Sequence, residues 1–196
     1  MRILALSPHT DDIELGCGGY LSKMTEQGHS VYVACFSHIY DGVDLTEEHL
    51  DSLYFIGVAQ NWLFNETVRE FDRQRVLQNM INIREEIQPD VVLCPYSDDI
   101  HQDHKVVYNE AVRAYSKTHS LLGYELPWNC RGFNGSFFVR LEDRHLRQKM
   151  EMLNKYESQK DKHYFNFQFI TSLATVRGMQ IGGGKAETYE VITWIA

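Results

Sequence analysis

This chain lacks several things that would assign it to a class. No stretch of it reaches transmembrane length, and its first apolar run, Ile3-Leu4-Ala5-Leu6, is too short for the core of a secretory leader. The expectation is a cytoplasmic protein with no membrane span. Cysteine is scarce: Cys17, Cys35, Cys94 and Cys130 are scattered, without a CxxC pair. Three of the four lie in apolar or glycine-rich segments, so buried free thiols in a reducing compartment are expected rather than a disulfide frame. Positive charge is outweighed, with 19 Lys and Arg against 27 Asp and Glu and a net charge of -8, which argues against nucleic acid as a partner. Repeats, linkers and low-complexity tracts are missing too. What remains is one domain over residues 1–196, long enough to bury a real core.

The apolar pattern alternates between strand and helix. Arg2 to Leu6 reads as a buried strand ended by Pro8, Gly16 to Gly28 as a helix, and Val31 to Phe36 as the next strand. Together they form a right-handed βαβ unit with parallel strands. A helix follows from Thr46 to about Phe55, then a short strand from Asn61 to Phe64. A long amphipathic helix over Arg69 to Ile87 carries Val76, Met80, Ile83 and Ile87 on one face. Asp90 to Pro95 is the clearest strand, β-branched and bounded by proline. Ser97 to His104 then reads as a polar loop and Lys105 to Tyr115 as a helix. Strands over Leu121 to Leu126, Phe137 to Leu141 and Tyr189 to Ile195, with a helix over Arg144 to Tyr156, complete the reading. The fold class is α/β, a three-layer domain with a mostly parallel sheet.

Open α/β sheets bind ligands beyond the carboxyl ends of their strands. Two His/Asp clusters fall at such ends. One is His9, Asp11 and Asp12 after the first strand; the other is His101, Asp103 and His104 after the Val91-to-Cys94 strand. A hydrolytic metal site needs three protein ligands and one open position. His9 and Asp12, three residues apart in a turn, can reach one ion, and His104 can be the third ligand. Asp11 is left beside the ion as a base for water, whose pKa a metal lowers to about 7. His101, one turn before His104, could face the open position and as imidazolium steady an oxyanion. Asp103 could fix one of the two rings. Zn2+ suits the set, and Fe2+ or another divalent metal would also fit.

Each piece alone is weak. An Asp-Asp pair is most often a loop or helix cap, and HxxH is usually surface polarity. The Gly16-Cys17-Gly18-Gly19 cluster is most simply a tight helix start and lacks the GxGxxG spacing of dinucleotide sites. The joint placement of both clusters after parallel strands is what carries the chemistry. Two other readings stay open: a non-haem iron enzyme using the same two-histidine, one-carboxylate set, and a non-catalytic binding module.

Pro8-His9-Thr10-Asp11-Asp12 with Ile13 to Gly19, and then His101-Gln102-Asp103-His104, resemble the two motifs of the LmbE-like, or PIG-L-type, N-acetylglycan deacetylases. Pro95 to Asp99, Tyr156 to Gln159, Arg177-Gly178 and Ala186-Glu187 are similar to weaker family features. The resemblance implies a Rossmann-like zinc enzyme that removes the acetyl group from N-acetylated amino-sugars or their conjugates. His9, Asp12 and His104 would be its ligands, Asp11 its base and His101 the partner of the tetrahedral intermediate. Arg177 and Glu187 are candidate substrate contacts. Trp128, Tyr124 and Phe133 are candidates to stack on a sugar face. Two departures stand out. Thr10 replaces the commoner proline, and no arginine precedes Glu47 and Glu48, where family members often grip substrate. The short chain also implies that the substrate cover is reduced, or completed by a second subunit of a homo-oligomer.

Overall fold

The computed structural model describes residues 1–195. Its elements run β1 (Arg2–His9), α1 (Asp12–Glu26), β2 (Ser30–Ser37), β3 (Ile39–Tyr40), β4 (Val43–Asp44), α2 (Thr46–Ile56), β5 (Gln60–Leu63), α3 (Arg73–Ile87), β6 (Val91–Pro95), α4 (Gln102–Tyr115), β7 (Ser120–Tyr124), β8 (Phe137–Leu141), α5 (Asp143–Leu153), a 3-10 turn (Glu157–Gln159), α6 (Phe167–Met179) and β9 (Lys185–Thr193). Seven strands form one sheet in the order β5-β2-β1-β6-β7-β9-β8, and β3 and β4 make a separate hairpin. Pairing is parallel from β5 to β7, while β9 is antiparallel to both β7 and β8. The mostly parallel α/β sheet is therefore as the sequence implied. Among the described residues, no helix is long and apolar enough to cross a membrane.

Helices cover both faces, because strands such as β6 are buried along their whole length and expose apolar side chains on either side. One core packs Ile13, Leu21 and Leu153 against the sheet through α1 and α5; the other packs Val76, Met80 and Val107 through α3 and α4. The chain leaves β1 toward β2 and β5, then returns to β6 and β7 on the other side. The order thus reverses between β1 and β6, which places a crevice at their carboxyl ends.

Several boundaries differ from the sequence reading, four of them near the site. Strand β1 continues through Pro8 to His9, because β6 pairs with β1 only as far as Ala5, leaving Pro8 at a locally open edge. Helix α1 begins at Asp12, so the glycine cluster lies inside it rather than at its start. There the glycines permit close packing: a Cβ on Gly16 would collide with the Tyr124 ring, and one on Gly19 would sit 2.5 Å from Leu141. Helix α3 begins at Arg73, because the Asp72 carboxylate accepts the backbone N–H groups of Gln74 and Arg75 and caps it. Helix α4 begins at Gln102, so the second His/Asp cluster is a cap and a first helical turn, not a loop. Helix α6 was not anticipated. Its apolar residues lack a clear helical stripe, and only Ile170, Ala174 and Gly178 of its length are buried.

Candidate metal centre

The end of β1 and the start of α4 bring His9, Asp12 and His104 together. Asp12 Oδ2 lies 3.2 Å from His9 Nδ1 and 3.3 Å from His104 Nε2, and those two nitrogens are 3.4 Å apart. Four ligands at the tetrahedral angle with bonds of about 2.0–2.1 Å would be separated by about 3.3–3.4 Å. The donor triangle therefore fits a small divalent cation. The outward nitrogens are also taken. His9 Nε2 is 3.0 Å from Asp103 Oδ2, and His104 Nδ1 is 2.7 Å from Asp99 Oδ2, so each ring presents its inward nitrogen to the centre. A second triangle of His9, His101 and Asp103 is geometrically within reach of an ion. However, its Asp103 oxygen already accepts from His9 and from the Arg69 N–H at 2.9 Å.

Charge follows from this packing. Burial alone would push the Asp12 carboxyl up, but His104 and His9 hold it well below the usual carboxylate range. Burial opposes a charge on His104, yet Asp12 and Asp99 raise it to about 10. Two carboxylates around one imidazole make a cluster that attracts positive charge. Asp11 is different. Burial, then the neighbouring Asp12 charge, push its carboxyl up. Its Oδ2 is buried without a hydrogen-bond partner, and Lys162 Nζ stands 3.7 Å away. Asp11 therefore borders the same cavity as the ligands but lies outside their triangle.

His101 caps α4, with Nδ1 accepting the Asp103 N–H at 3.2 Å. That lone pair requires Nδ1 to be unprotonated, which makes the ring neutral with its proton on Nε2. Burial, then the His104 and His9 charges, push its pKa down and act in the same direction. The imidazolium expected from the sequence is disfavoured; a neutral donor is what the cap leaves. Asp103 steadies the ring of His9, while its backbone is what engages His101.

Beneath the motif, the Thr10 carbonyl accepts from the Tyr156 hydroxyl, and His49 Nδ1 lies 3.0 Å from the same oxygen. Ser52 donates to Glu14, whose Oε1 also lies 2.8 Å from the Tyr156 oxygen. Thr10 is thus held from below, which fixes the backbone between His9 and Asp11. His49 and Lys162 escaped the sequence reading, and Asp99, inside the Pro95-to-Asp99 segment it picked out, was given no role. Asp99 carried a signal, a carboxylate at the end of β6 five residues before His104; Lys162 carried none.

The structure does not bring Arg177 and Glu187 to this cavity. They border a neighbouring cleft behind α1. Arg177 pairs with Glu125, its Nε 3.0 Å from Oε2. Both Glu187 oxygens are spent: Oε1 accepts from Gly19 N–H and Lys149, and Oε2 from Tyr20 N–H and the Tyr189 hydroxyl. Of the three candidate aromatics, only Trp128 borders the metal cavity, stacked on Tyr164 with ring centroids 4.0 Å apart. Tyr124 is fully buried and donates to the Leu6 carbonyl, and Phe133 packs on Tyr96. All four cysteines are free and buried.

Comparison with known proteins gives consistent matches. The family profile described as PIG-L, GlcNAc-PI de-N-acetylase, matches residues 4–115. A relative from Escherichia coli K12, described as the uncharacterized deacetylase YaiS, is 31% identical over 171 residues, which span 80% of this chain and 90% of that protein. The zinc-inhibited form of teicoplanin deacetylase Orf2 superposes with a TM-score of 0.79 at 18% identity, covering 96% of this chain and 97% of its own. GalB, the 4-carboxy-2-hydroxymuconate hydratase of Pseudomonas putida KT2440, also gives 0.79, at 17% identity, covering 100% and 97%. At such identities the two structures establish the fold alone, and their differing chemistries show that the fold does not dictate the reaction.

Proposed function

The chain belongs to the PIG-L, or LmbE-like, deacetylase family, and on that premise we propose that it hydrolyses the acetamide of an N-acetylated amino-sugar or sugar conjugate at the His9–Asp12–His104 centre. The observation that carries the reading is Asp11, a buried carboxylate beside the donor triangle whose Oδ2 accepts no hydrogen bond and has only the Lys162 ammonium 3.7 Å away. A base in that position suits attack by water and has no evident task in an oxygenase. It also counts against a binding module whose catalytic apparatus has decayed.

His9, Asp12 and His104 would hold the cation, with Zn2+ and Fe2+ both suited to two imidazoles and a carboxylate. When bound, such an ion supplies Lewis-acid polarisation of the acetyl carbonyl and makes water acidic enough to attack near neutral pH. Asp11 takes the proton of the attacking water. His101 donates its Nε2–H to the oxygen on which charge develops. As the C–N bond breaks, the proton held by Asp11 passes to the amide nitrogen, and acetate and a free amine leave. Asp99 and Asp103 keep the two ligand rings turned inward throughout. Trp128 and Tyr164 offer an aromatic wall for a sugar face.

The test is acetate release from metal-loaded protein offered N-acetylglucosamine, its 1-phosphate and a nucleotide-linked N-acetylglucosamine. Release that depends on metal and on Asp11 is expected. No release from any of the three, with metal bound stoichiometrically, overturns the reading.

A further inference from the structure

The conformation of Arg69 is unusual for its residue type. It sits in the connection between β5 and α3 with φ of 71°, in the left-handed region that favours glycine. The other two non-glycine residues with positive φ have ordinary reasons: Asp41 lies in the hairpin between β3 and β4, and Gln88 ends α3. Around Arg69, the Glu70 N–H donates to the Thr67 carbonyl at 2.9 Å, closing a four-residue turn. Arg69 occupies the third position, where positive φ makes glycine the usual choice. For backbone reasons alone, an arginine is a poor occupant.

The second motif pins it there. The Arg69 N–H donates to Asp103 Oδ2 at 2.9 Å, and its carbonyl accepts from Gln102 Nε2 at 2.7 Å. Asp103 is the same carboxylate that turns His9 inward. Arg69 borders the metal cavity and is exposed. Among the described residues, only its backbone atoms find partners. The other cation on the cavity wall, Lys162, is committed to Asp11. Arg69 is therefore the free positive charge of a cavity that otherwise offers Asp11, Asp12, histidines and aromatic rings.

We infer that Arg69 is a specificity residue that grips an oxyanion, phosphate or carboxylate, carried by the amino-sugar substrate. The inference rests on the deacetylase reading and adds the chemical class of the conjugate. A guanidinium offers paired donors in a plane that matches either anion. The hydrogen bond from its backbone N–H to Asp103 fixes where the side chain starts relative to His9.

The test measures binding of the deacetylated amines, so it does not depend on turnover. Metal-loaded protein is titrated calorimetrically, at one fixed salt concentration, with glucosamine, glucosamine 1-phosphate and glucosaminuronic acid. At least one anionic amine is expected to bind about tenfold or more tightly than glucosamine, and which of them does so separates phosphate from carboxylate. Arg69→Gly suits the backbone and should fold with an undiminished melting temperature, yet lose the preference; Arg69→Lys should keep part of it. Equal binding of all three amines by the native protein, or a preference that survives in Arg69→Gly, overturns the inference. A preference that vanishes in Arg69→Gly, in a protein that releases no acetate, upholds the oxyanion site and rejects only the deacetylase reading.

Discussion

Replacing Asp99 by Asn tests the centre without touching a ligand. Asp99 is 1% exposed and uses both oxygens. Its Oδ2 accepts from His104 Nδ1 at 2.7 Å and its Oδ1 from the His101 N–H at 2.8 Å. An asparagine has one oxygen and one amide nitrogen, so whichever way it turns, one of the two donors meets another donor. A hydrogen bond to a charged group contributes about 1.5–3 kcal/mol, which corresponds to roughly 10–150-fold in an equilibrium constant. Loss of a carboxylate behind a metal-bound histidine typically weakens metal affinity about 10–100-fold, a matching range. Competition against a chromophoric chelator should therefore give a zinc Kd about 10–100 times that of the native protein. The same change removes about 1.4–2.7 kcal/mol of metal-linked stabilisation at saturating metal. For a chain of this size, the rise in Tm on adding metal should shrink by roughly 3–11 °C. A zinc Kd within threefold of native, with the metal-free Tm unchanged, would refute the claim that Asp99 sets the orientation of His104.

Asp11→Asn should retain stoichiometric metal by elemental analysis and lose about 10²–10⁴-fold in turnover; loss of the metal with the fold intact would make Asp11 a ligand instead. His49 gives a pH prediction for the metal-free protein. Burial lowers its pKa from 6.5 to about 4, so between these values the unfolded chain binds the proton that the folded one refuses. Its contribution is complete above pH 6.5 and is lost as pH falls toward 4, amounting to about 2.5 kcal/mol by pH 4.5. Urea unfolding should show a shallower acid loss in His49→Gln than in the native protein; equal slopes would count against it. Lys149→Met strands the buried Glu187 carboxylate and should destabilise the fold by about 3–5 kcal/mol in urea unfolding, with no change expected at the metal triangle itself.

The parts of the fold legible in the sequence are those with local causes. Strands β1, β2 and β6 are apolar runs bounded by proline, glycine or polar turns, and their parallel pairing follows from the helices between them. The two His/Asp clusters were legible because strand ends are where such a sheet gathers its chemistry. Boundaries governed by caps were readable in principle but outweighed by periodicity: Asp72 caps α3, while the apolar stripe suggested a helix reaching back to Arg69. Contacts made only by the finished fold left no trace. Lys162 reaches Asp11 from the segment after α5, and nothing around it distinguishes it from a solvated lysine. Glu187 read as a candidate substrate contact because Ala186-Glu187 matched a family feature, yet its oxygens are consumed by α1, Lys149 and Tyr189.

That last arrangement has a consequence for how the protein is born. The Glu187 carboxylate accepts the N–H groups of Gly19 and Tyr20, which belong to the helix that opens with Asp12. The partners of the Gly19 bond are separated by 168 residues. At synthesis rates of roughly 5–20 residues per second, α1 leaves the ribosome about 8–34 s before the carboxylate that fastens it. The first ligand-bearing segment made is among the last to be locked in place. A nascent chain stalled before β9 should then hold His9, Asp12 and His104 without the rigid geometry that a small cation selects, and acquire it only as the final strand docks.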